Sequence, residues 1–426
     1  MLYNIYMLFI YNVITTCAFL LFIPFILVQL LTKKNRGQWL YRLGFLGPLP
    51  QGRYAWIHCA SVGEVKVASL FISEFCKRMP QYKVILSVVT VSGFKVAVNS
   101  VPEATKVIFV PMDIAFLVKR AMKRVSPEML ILVETELWPN LIKYADKLNA
   151  KIITINGRIS DRTFALYKVY RFIIKRIVRR VDLFLMREQY DYDRIIMLGA
   201  DASKVNIMGN IKYDIIVSDN IKKYSVEKEY FGFSGADRIF VAGSIREGEE
   251  ELVIDAYVDI LKKHKDVKLI FSPRHLDRLE LAEQLMDERN ILHVRKTLNS
   301  EMKDFQCLLI DTYGELMKAY FVADIVFVGG SLIPLGGQNM IEPASLGKMV
   351  LFGPHTESFK EPAQMLVANY AAIRVQDAEQ MKKTVIDYFS SPLKYEQYPV
   401  NAKNSIGKLQ GVTARTVDKI EQFLKN

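Results

Sequence analysis

Tyr54-Ala55-Trp56-Ile57-His58-Cys59-Ala60-Ser61-Val62-Gly63-Glu64 is a short apolar run that feeds directly into a serine, a glycine and a glutamate at the opening of a helix-length segment. Near-continuous apolar runs of this length read as strands buried on both faces, the kind found in parallel sheets covered by helices. The same unit recurs downstream, at 83–89, 106–110, 129–133, 152–155 and 181–186, each run followed by a helix-length segment. That alternation is the pattern of a parallel α/β sheet. It then restarts with runs at 238–242, 267–271, 306–310, 324–328 and 349–352. The polar stretch from about 215 to 235 between the two series reads as a hinge. The expected fold is therefore α/β, with two doubly wound halves facing a cleft and ligand at the carboxyl ends of their strands.

A chain of 426 residues is long enough for two or three domains. The division expected is an anchor over 1–32, an N-terminal domain over 33–220 and a C-terminal domain over 221–426. The first 32 residues contain no Asp, Glu, Lys, Arg or His, and such a run is long enough to cross a bilayer core of about 30 Å. One transmembrane helix is expected there. Lys33, Lys34, Arg36, Arg42 and Arg53 follow it with no acidic residue between them, which places the body of the protein on the cytoplasmic side by the positive-inside rule. Cys17, Cys59, Cys76 and Cys307 lack the paired spacing of a zinc site or a disulfide framework.

The net charge of +12 is unevenly spread. Lys119, Arg120, Lys123 and Arg124 form one basic cluster, and Lys168, Arg171, Lys175, Arg176, Arg179 and Arg180 form another. Both interleave with apolar and aromatic residues, as in helices whose basic face meets anionic lipid. Each segment taken alone also fits an ordinary solvated helix face.

Several strand ends carry chemistry-bearing residues. Ser61 and Glu64 have the spacing of a capping box, in which the glutamate satisfies a backbone donor; a carboxylate so placed can also deprotonate a hydroxyl within its reach. Glu134-Thr135-Glu136-Leu137-Trp138-Pro139-Asn140 puts two carboxylates at the end of a very apolar strand. In extended backbone residues two apart share a face, so both acids can look into a cleft or serve as structural acceptors. Gly329-Gly330-Ser331 and Gly336-Gly337-Gln338-Asn339-Met340-Ile341-Glu342-Pro343-Ala344 form a glycine segment. Its backbone N–H groups suit a phosphate, and the glutamate beyond suits ribose hydroxyls. Ser272-Pro273-Arg274-His275 and Asp311-Thr312-Tyr313-Gly314-Glu315-Leu316 stand at two further strand ends. Arg274 offers a charge-assisted phosphate donor, while Thr312 and Glu315 also fit a capping box.

Walker A, G-x-G-x-x-G and H-E-x-x-H motifs are absent from the sequence. Asp191-Tyr192-Asp193 is the one D-x-D triplet; it reads better as polar residues early in a helix than as a metal clamp.

Taken together these segments resemble the 3-deoxy-D-manno-octulosonic acid (Kdo) transferases of lipopolysaccharide assembly. The resemblance covers nearly the whole chain. It rests on the uncharged run followed by basic residues, on Ser61-Val62-Gly63-Glu64, on residues 134–140, and on Gly209-Asn210-Ile211-Lys212-Tyr213-Asp214. It continues through Glu247-Gly248-Glu249-Glu250, Pro273-Arg274-His275, Gly314-Glu315-Leu316 and the glycine segment ending in Gly353-Pro354-His355-Thr356. The resemblance implies two Rossmann-like domains of the GT-B type and an inverting transfer of Kdo from CMP-Kdo to a lipid A precursor, lipid IVA. Glu64 would be the general base, and Glu134 and Lys212 would stabilise the transition state. Pro273, Arg274, Tyr313, Gly314, Glu315, Asn339, Met340, Ile341 and Glu342 would hold CMP. It further implies no metal or other cofactor, no nucleic-acid partner, and a place in the inner membrane as a single-pass protein. Arg246 and Gln338 stand where the family pattern has His, which marks a divergent branch.

Two other readings remain open on the sequence. A GT-B enzyme using a UDP-sugar would share the glycine segment and its glutamate, and inhibition by UDP rather than CMP would reveal it. A membrane-tethered nucleic-acid-binding protein would explain the net positive charge, and salt-dependent binding of random DNA or RNA would reveal that.

Overall fold

The computed structural model describes residues 3–217, 224–301 and 304–425. The chain forms two compact units, one of Met1–Ile215 with Gly411–Asn426 and the other of Ile216–Gln410.

In the first unit the apolar runs become a parallel sheet of β1 (Arg53–Cys59), β2 (Tyr82–Val88), β3 (Lys106–Phe109), β4 (Met129–Val133), β5 (Lys151–Gly157), β6 (Leu183–Met186) and β7 (Val205–Ile207). Their order is β3-β2-β1-β4-β5-β6-β7. β4 shows why these strands read as unbroken apolar runs. Leu130 and Leu132 pack on one face with Val118, Met122 and Leu141, while Met129, Ile131 and Val133 pack on the other with Val65, Phe71 and Ile72. Every residue of the strand is buried, because helices cover both faces.

The strand order reverses between β1 and β4, which pair with each other. Neighbouring strands there send their following helices to opposite sides, leaving a crevice at the carboxyl ends. Residues 60–64 and 134–138 leave the sheet at that crevice.

The second unit repeats the plan with β8 (Arg238–Ile245), β9 (Val267–Pro273), β10 (His293–Arg295), β11 (Cys307–Leu309), β12 (Ile325–Val328), β13 (Met349–Phe352) and β14 (Ile373–Arg374). The order is β10-β11-β9-β8-β12-β13-β14, again parallel. Its switch point lies between β8 and β12, where residues 246–249 and 329–331 emerge.

The domain division differs from the expected one at the far end of the chain. The segment 411–426, expected within a domain spanning 221–426, belongs to the first unit. Its helix, Val412–Lys425, buries Val412, Val417 and Ile420 in the cluster that holds Val65 and Phe71 of the helix Val62–Arg78. Arg78 pairs with Asp418 at 2.5 Å and with Glu421 at 3.1 Å, fixing the two helices side by side. The expected boundary at 220/221 and the middle of the expected hinge lie outside the described residues.

At the other end, Tyr3–Leu31 is a single helix, and its Ile10–Leu31 stretch is long and apolar enough to cross a membrane. The four cysteines are free.

Candidate active site

Glu64 sits on the first turn of the helix that follows β1. Ser61 caps that helix and donates its hydroxyl to Glu64 Oε1 at 2.8 Å, and the Ala60 amide donates to Glu64 Oε2 at 2.7 Å. The capping box anticipated from the spacing is formed in part: Ser61 Oγ accepts from Glu64 N at 3.4 Å, but Glu64 takes the amide of Ala60 in place of that of Ser61. It leaves the carboxyl only 6% exposed. Burial raises its pKa to about 7; the Ala60 and Ser61 hydrogen bonds oppose the rise, and the charges of Glu136 and Glu134 add to it. A buried carboxyl that titrates near neutrality can take a proton from a bound hydroxyl, which an ordinary capping glutamate does poorly.

Glu134 ends β4 with φ 59°, a left-handed conformation unusual for a residue with a side chain. Its amide is held by Ile155 O at 2.9 Å. The chain thus leaves extended geometry at the point where the two-residue alternation was expected to govern. Glu134 and Glu136 nevertheless line one cavity of about 620 Å³, together with Trp138, Arg158 and Tyr167. Glu136 accepts from Trp138 Nε1 at 2.8 Å, and its pKa is raised by burial, with the Glu134 charge adding to the rise. Glu64 is not part of that cavity's lining.

Lys212 reaches one of these carboxylates, Glu134, from a different element. Its Nζ is 3.1 Å from Glu134 Oε1. The loop before it is pinned in two places: Asn156 Oδ1, at the end of β5, accepts from Ile211 N at 2.9 Å, and Asn210 Oδ1 accepts from Lys212 N at 3.1 Å. Asn156 is a positioning residue that the sequence reading passed over, although an Asn-Gly pair closing an apolar run was its visible sign. Sequence and structure thus bring Glu64, Glu134 and Lys212 to one crevice from the ends of β1 and β4 and from the segment after β7.

In the second unit the glycine segment departs from its expected role. The buried Glu249 accepts from the amides of Gly330, Ser331 at 2.9 Å and Leu332 at 2.8 Å, and from Arg246 N at 3.1 Å. The amides at 330–332, one part of the segment expected to cradle phosphate, are thus filled by a carboxylate of the same unit. Gly329 is required for a steric reason, since a Cβ there would stand 2.6 Å from Ser244 O. Charge for an anionic ligand must come from elsewhere in the unit.

Arg274 is the basic side chain expected there from the sequence. It follows Pro273, the last residue of β9, its amide is held by Ile245 O at 2.8 Å, and its charge reaches Glu342. Glu342 opens the helix Ile341–Ser345 and accepts from Asn339 Nδ2 at 3.0 Å. Burial raises its pKa, opposed by the Asn339 hydrogen bond and the Arg274 charge. Met340 and Ile341 are buried, and the Ile341 amide donates to Asn339 Oδ1 at 3.2 Å. Tyr313 is 76% exposed, and Gly314 has φ 91° with open space where a Cβ would be. Glu315 is occupied: it accepts from Tyr230 OH at 2.9 Å and Lys318 Nζ at 3.2 Å and lies 3.6 Å from Lys296. Burial pushes its pKa up, but these partners more than offset that and lower it.

Asp191, the first acid of the D-x-D triplet, accepts from Ile159 N at 2.7 Å, and Asp193 accepts from Gln189 Nε2 at 2.8 Å. Both are engaged locally in the helix Gln189–Met197 and its neighbourhood. Among the described residues no group of three or more His, Cys, Asp or Glu side chains is arranged to hold a metal ion.

Comparison with known proteins bears on this geometry. The family model for 3-deoxy-D-manno-octulosonic-acid transferase (kdotransferase) matches residues 37–215. A bifunctional glycosyltransferase/methyltransferase of Fusobacterium nucleatum is 35% identical over 385 residues, which is 88% of this chain; the chain spans 58% of that protein's length. A 3-deoxy-D-manno-octulosonic acid transferase of Haemophilus influenzae is 28% identical over 405 residues, 94% of each chain. A UDP-GlcNAc 2-epimerase from Neisseria meningitidis has a TM-score of 0.60 at 14% identity, covering 88% of this chain and 100% of its own. A glycosyltransferase from Rickettsia africae has a TM-score of 0.59 at 13% identity with the same coverage. The structural likenesses are of fold, the two-domain α/β fold of GT-B type, while the sequence matches span both units. Over nearly its whole length the chain is similar to 3-deoxy-D-manno-octulosonic acid transferases, and over residues 37–215 to the model of that family.

Proposed function

We propose that this protein transfers Kdo from CMP-Kdo to a hydroxyl of a lipid A precursor, lipid IVA, in lipopolysaccharide assembly. The observation that carries the reading is Glu64: a buried carboxyl, titrating at about 7, at the switch point of the first sheet beside the Glu134–Lys212 pair. In this reading the acceptor oxygen attacks the anomeric carbon of Kdo as Glu64 takes the hydroxyl proton. The new C–O bond forms on the face opposite the departing phosphate, CMP leaves with the bonding electrons, and the configuration inverts. Lys212 supports the charge that develops near the reacting centre, and Glu134 holds that ammonium in place.

The second unit supplies the donor side. Arg274 would meet the CMP phosphate, Glu342 and Asn339 the ribose, and the Tyr313-Gly314-Glu315 turn and Pro273 the base. The backbone of Met340 and Ile341 completes the set. Glu315 acts through Lys296 and Lys318, whose ammonium groups it gathers at that turn. The inner membrane, with the catalytic body on its cytoplasmic face, is the location that a lipid acceptor and the basic residues after the apolar run, suited to an anionic leaflet, support.

The test is transfer of Kdo to a tetra-acylated lipid A precursor by the purified full-length chain, with CMP-Kdo generated in place. Transfer by the native chain, blocked by CMP and not by UDP, and lost in Glu64→Gln while CMP binding persists, is the expected result. A native chain that folds, binds CMP and transfers nothing would overturn the reading.

A further inference from the structure

Two of the polar side chains within the apolar stretch of the N-terminal helix, Tyr11 and Asn12, are turned into the catalytic unit. The Tyr11 hydroxyl donates to Asp113 Oδ2 at 2.9 Å, and the Asn140 side-chain amide donates to Asn12 Oδ1 at 2.8 Å. Asp113 and Asn140 are themselves joined. Asp113 accepts from the amides of Asn140 and Leu141, each at 3.0 Å, and its carbonyl accepts from Asn140 Nδ2 at 2.7 Å. These residues start the helix Pro139–Lys147, immediately after the loop that carries Glu134 and Glu136.

The docking continues along the same helix. Phe19 meets the edge of Phe116 with ring centroids 5.6 Å apart, and Ile26 is 4% exposed. Positions 12, 19 and 26 recur every seven residues and form one stripe. The opposite stripe is apolar and open: Ile14, Leu21 and Val28 are 62%, 82% and 59% exposed. From Tyr11 to Phe19 the helix rises about 12 Å at roughly 1.5 Å per residue, more than a third of a bilayer core of about 30 Å. A helix that crosses a bilayer leaves its water-soluble body at one end, whereas here the body lies beside the middle of the apolar stretch. The body's adjoining helix Ala115–Val125, which holds Phe116, also carries Lys119, Arg120, Lys123 and Arg124, charges that belong at a headgroup surface and not at hydrocarbon depth.

We propose that this helix lies in the plane of the membrane surface, docked along the catalytic unit with Ile14, Leu21 and Val28 in the lipid, and that it does not cross the bilayer. Tyr11 thereby becomes a wall of the cavity lined by Glu134, Glu136 and Tyr167. An acyl-bearing acceptor reaches that cavity along the membrane surface, without leaving the bilayer. The wall function rests on the transferase reading above; the in-plane placement does not.

The two parts are therefore tested separately. Asn4→Cys is introduced in a Cys17→Ala background and treated with a membrane-impermeant maleimide, in intact cells and after permeabilisation. In-plane placement gives labelling only after permeabilisation. Labelling in intact cells equal to that of a periplasmic control overturns it, whatever the enzyme's activity. For the wall, Tyr11→Phe is expected to raise KM for the lipid acceptor about tenfold with kcat and KM for the donor nearly unchanged. Replacing residues 1–31 by an unrelated single-pass anchor is expected to abolish transfer in a chain still found in the membrane fraction. Full transfer by that chimera overturns the wall. Absence of transfer by the native chain overturns the functional reading instead, and leaves the labelling result standing.

Discussion

The ammonium of Lys212 lies 3.1 Å from Glu134 Oε1, joining residues 78 positions apart in the chain across the crevice of the first sheet. Glu134 keeps a left-handed backbone, φ 59°, to make this contact. Such a conformation costs on the order of 1–3 kcal/mol in a residue with a side chain and persists where the surroundings over-determine it. Here the Ile155 carbonyl fixes its amide and Lys212 fixes its carboxylate.

Burial is the main cause of the raised Glu64 pKa, and the charges of Glu136 and Glu134 add to it; Lys212 offsets the Glu134 charge, so the pair should fine-tune the pH at which Glu64 titrates. Lys212→Met leaves both acids uncompensated, so the acid limb of the kcat/KM profile should move to higher pH. Its plateau should fall by about 10²–10³-fold, the usual loss when a preorganised cation is removed. Glu134→Gln removes one of the raising charges, and its acid limb should move the other way. A pH–rate series on the two variants checks both signs. Equal shifts in one direction would mean that neither residue communicates with Glu64.

Glu64→Gln should lose transfer by about 10²–10⁴-fold, the usual worth of a positioned base, and yet gain stability. The folded pKa of about 7 lies above the ordinary 4.5, so between those values the folded state holds more proton than the unfolded one. Stability then falls as pH rises from about 4.5 to about 7 and stays reduced above it. The neutral amide escapes that loss. Unfolding at pH 8 should therefore favour the variant by roughly 1–3 kcal/mol, with the gain shrinking toward pH 5. A variant less stable than wild type at pH 8 would show that the capping hydrogen bonds outweigh the cost of the buried charge.

Much of this architecture is visible in the residues themselves. The long interior strands are legible because burial on both faces demands an unbroken apolar run, as in Met129–Val133. Glu134 is legible because charge that directly follows such a run needs a reason, and Glu64 because it stands at capping-box spacing from Ser61 after β1. The short strands β7, β10 and β14 are not, since two or three residues at or near a sheet edge carry no periodic signal. The same limit hides the destination of 411–426. Its amphipathic pattern says that one face is buried, but not against which half. Nor does a glycine segment reveal whether its amides wait for a ligand or, as here, already hold Glu249.

That internal carboxylate makes a further prediction. Glu249→Ala strands the amides of Gly330, Ser331 and Leu332 in a buried loop. Each unsatisfied donor costs about 1–3 kcal/mol, so the second unit should lose at least about 3 kcal/mol. CMP affinity should fall with it, while the melting of the first unit stays in place. Glu249→Gln keeps one acceptor oxygen and should lie between the two. Unimpaired CMP binding by Glu249→Ala would return these amides to the role of a phosphate cradle.

The C-terminal helix is the least obvious part of the catalytic half, and its removal is the sharpest test of how that half is held together. Asp214 lies two residues beyond Lys212 and accepts from Thr413 N and Thr413 Oγ1, each at 2.6 Å, and from Val412 N at 3.3 Å. The last segment of the chain thus clamps the turn that presents the lysine. It also covers the helix bearing Glu64 with Val412, Val417 and Ile420, whose burial contributes about 1.5–3 kcal/mol each. A chain ending at Gln410 retains the whole second unit, so it should still bind CMP. Its first unit should lose about 5 kcal/mol or more, a large share of an ordinary domain's 5–15 kcal/mol, and transfer should disappear. Asp214→Ala isolates the clamp from the apolar cover. It should cost only about 1–3 kcal/mol while lowering kcat and leaving KM for the donor nearly unchanged, because Lys212 loses its placement and the second unit is untouched. If Asp214→Ala loses stability with no change in kcat, the clamp serves folding alone, and the position of Lys212 is set by Asn156 and Asn210 instead.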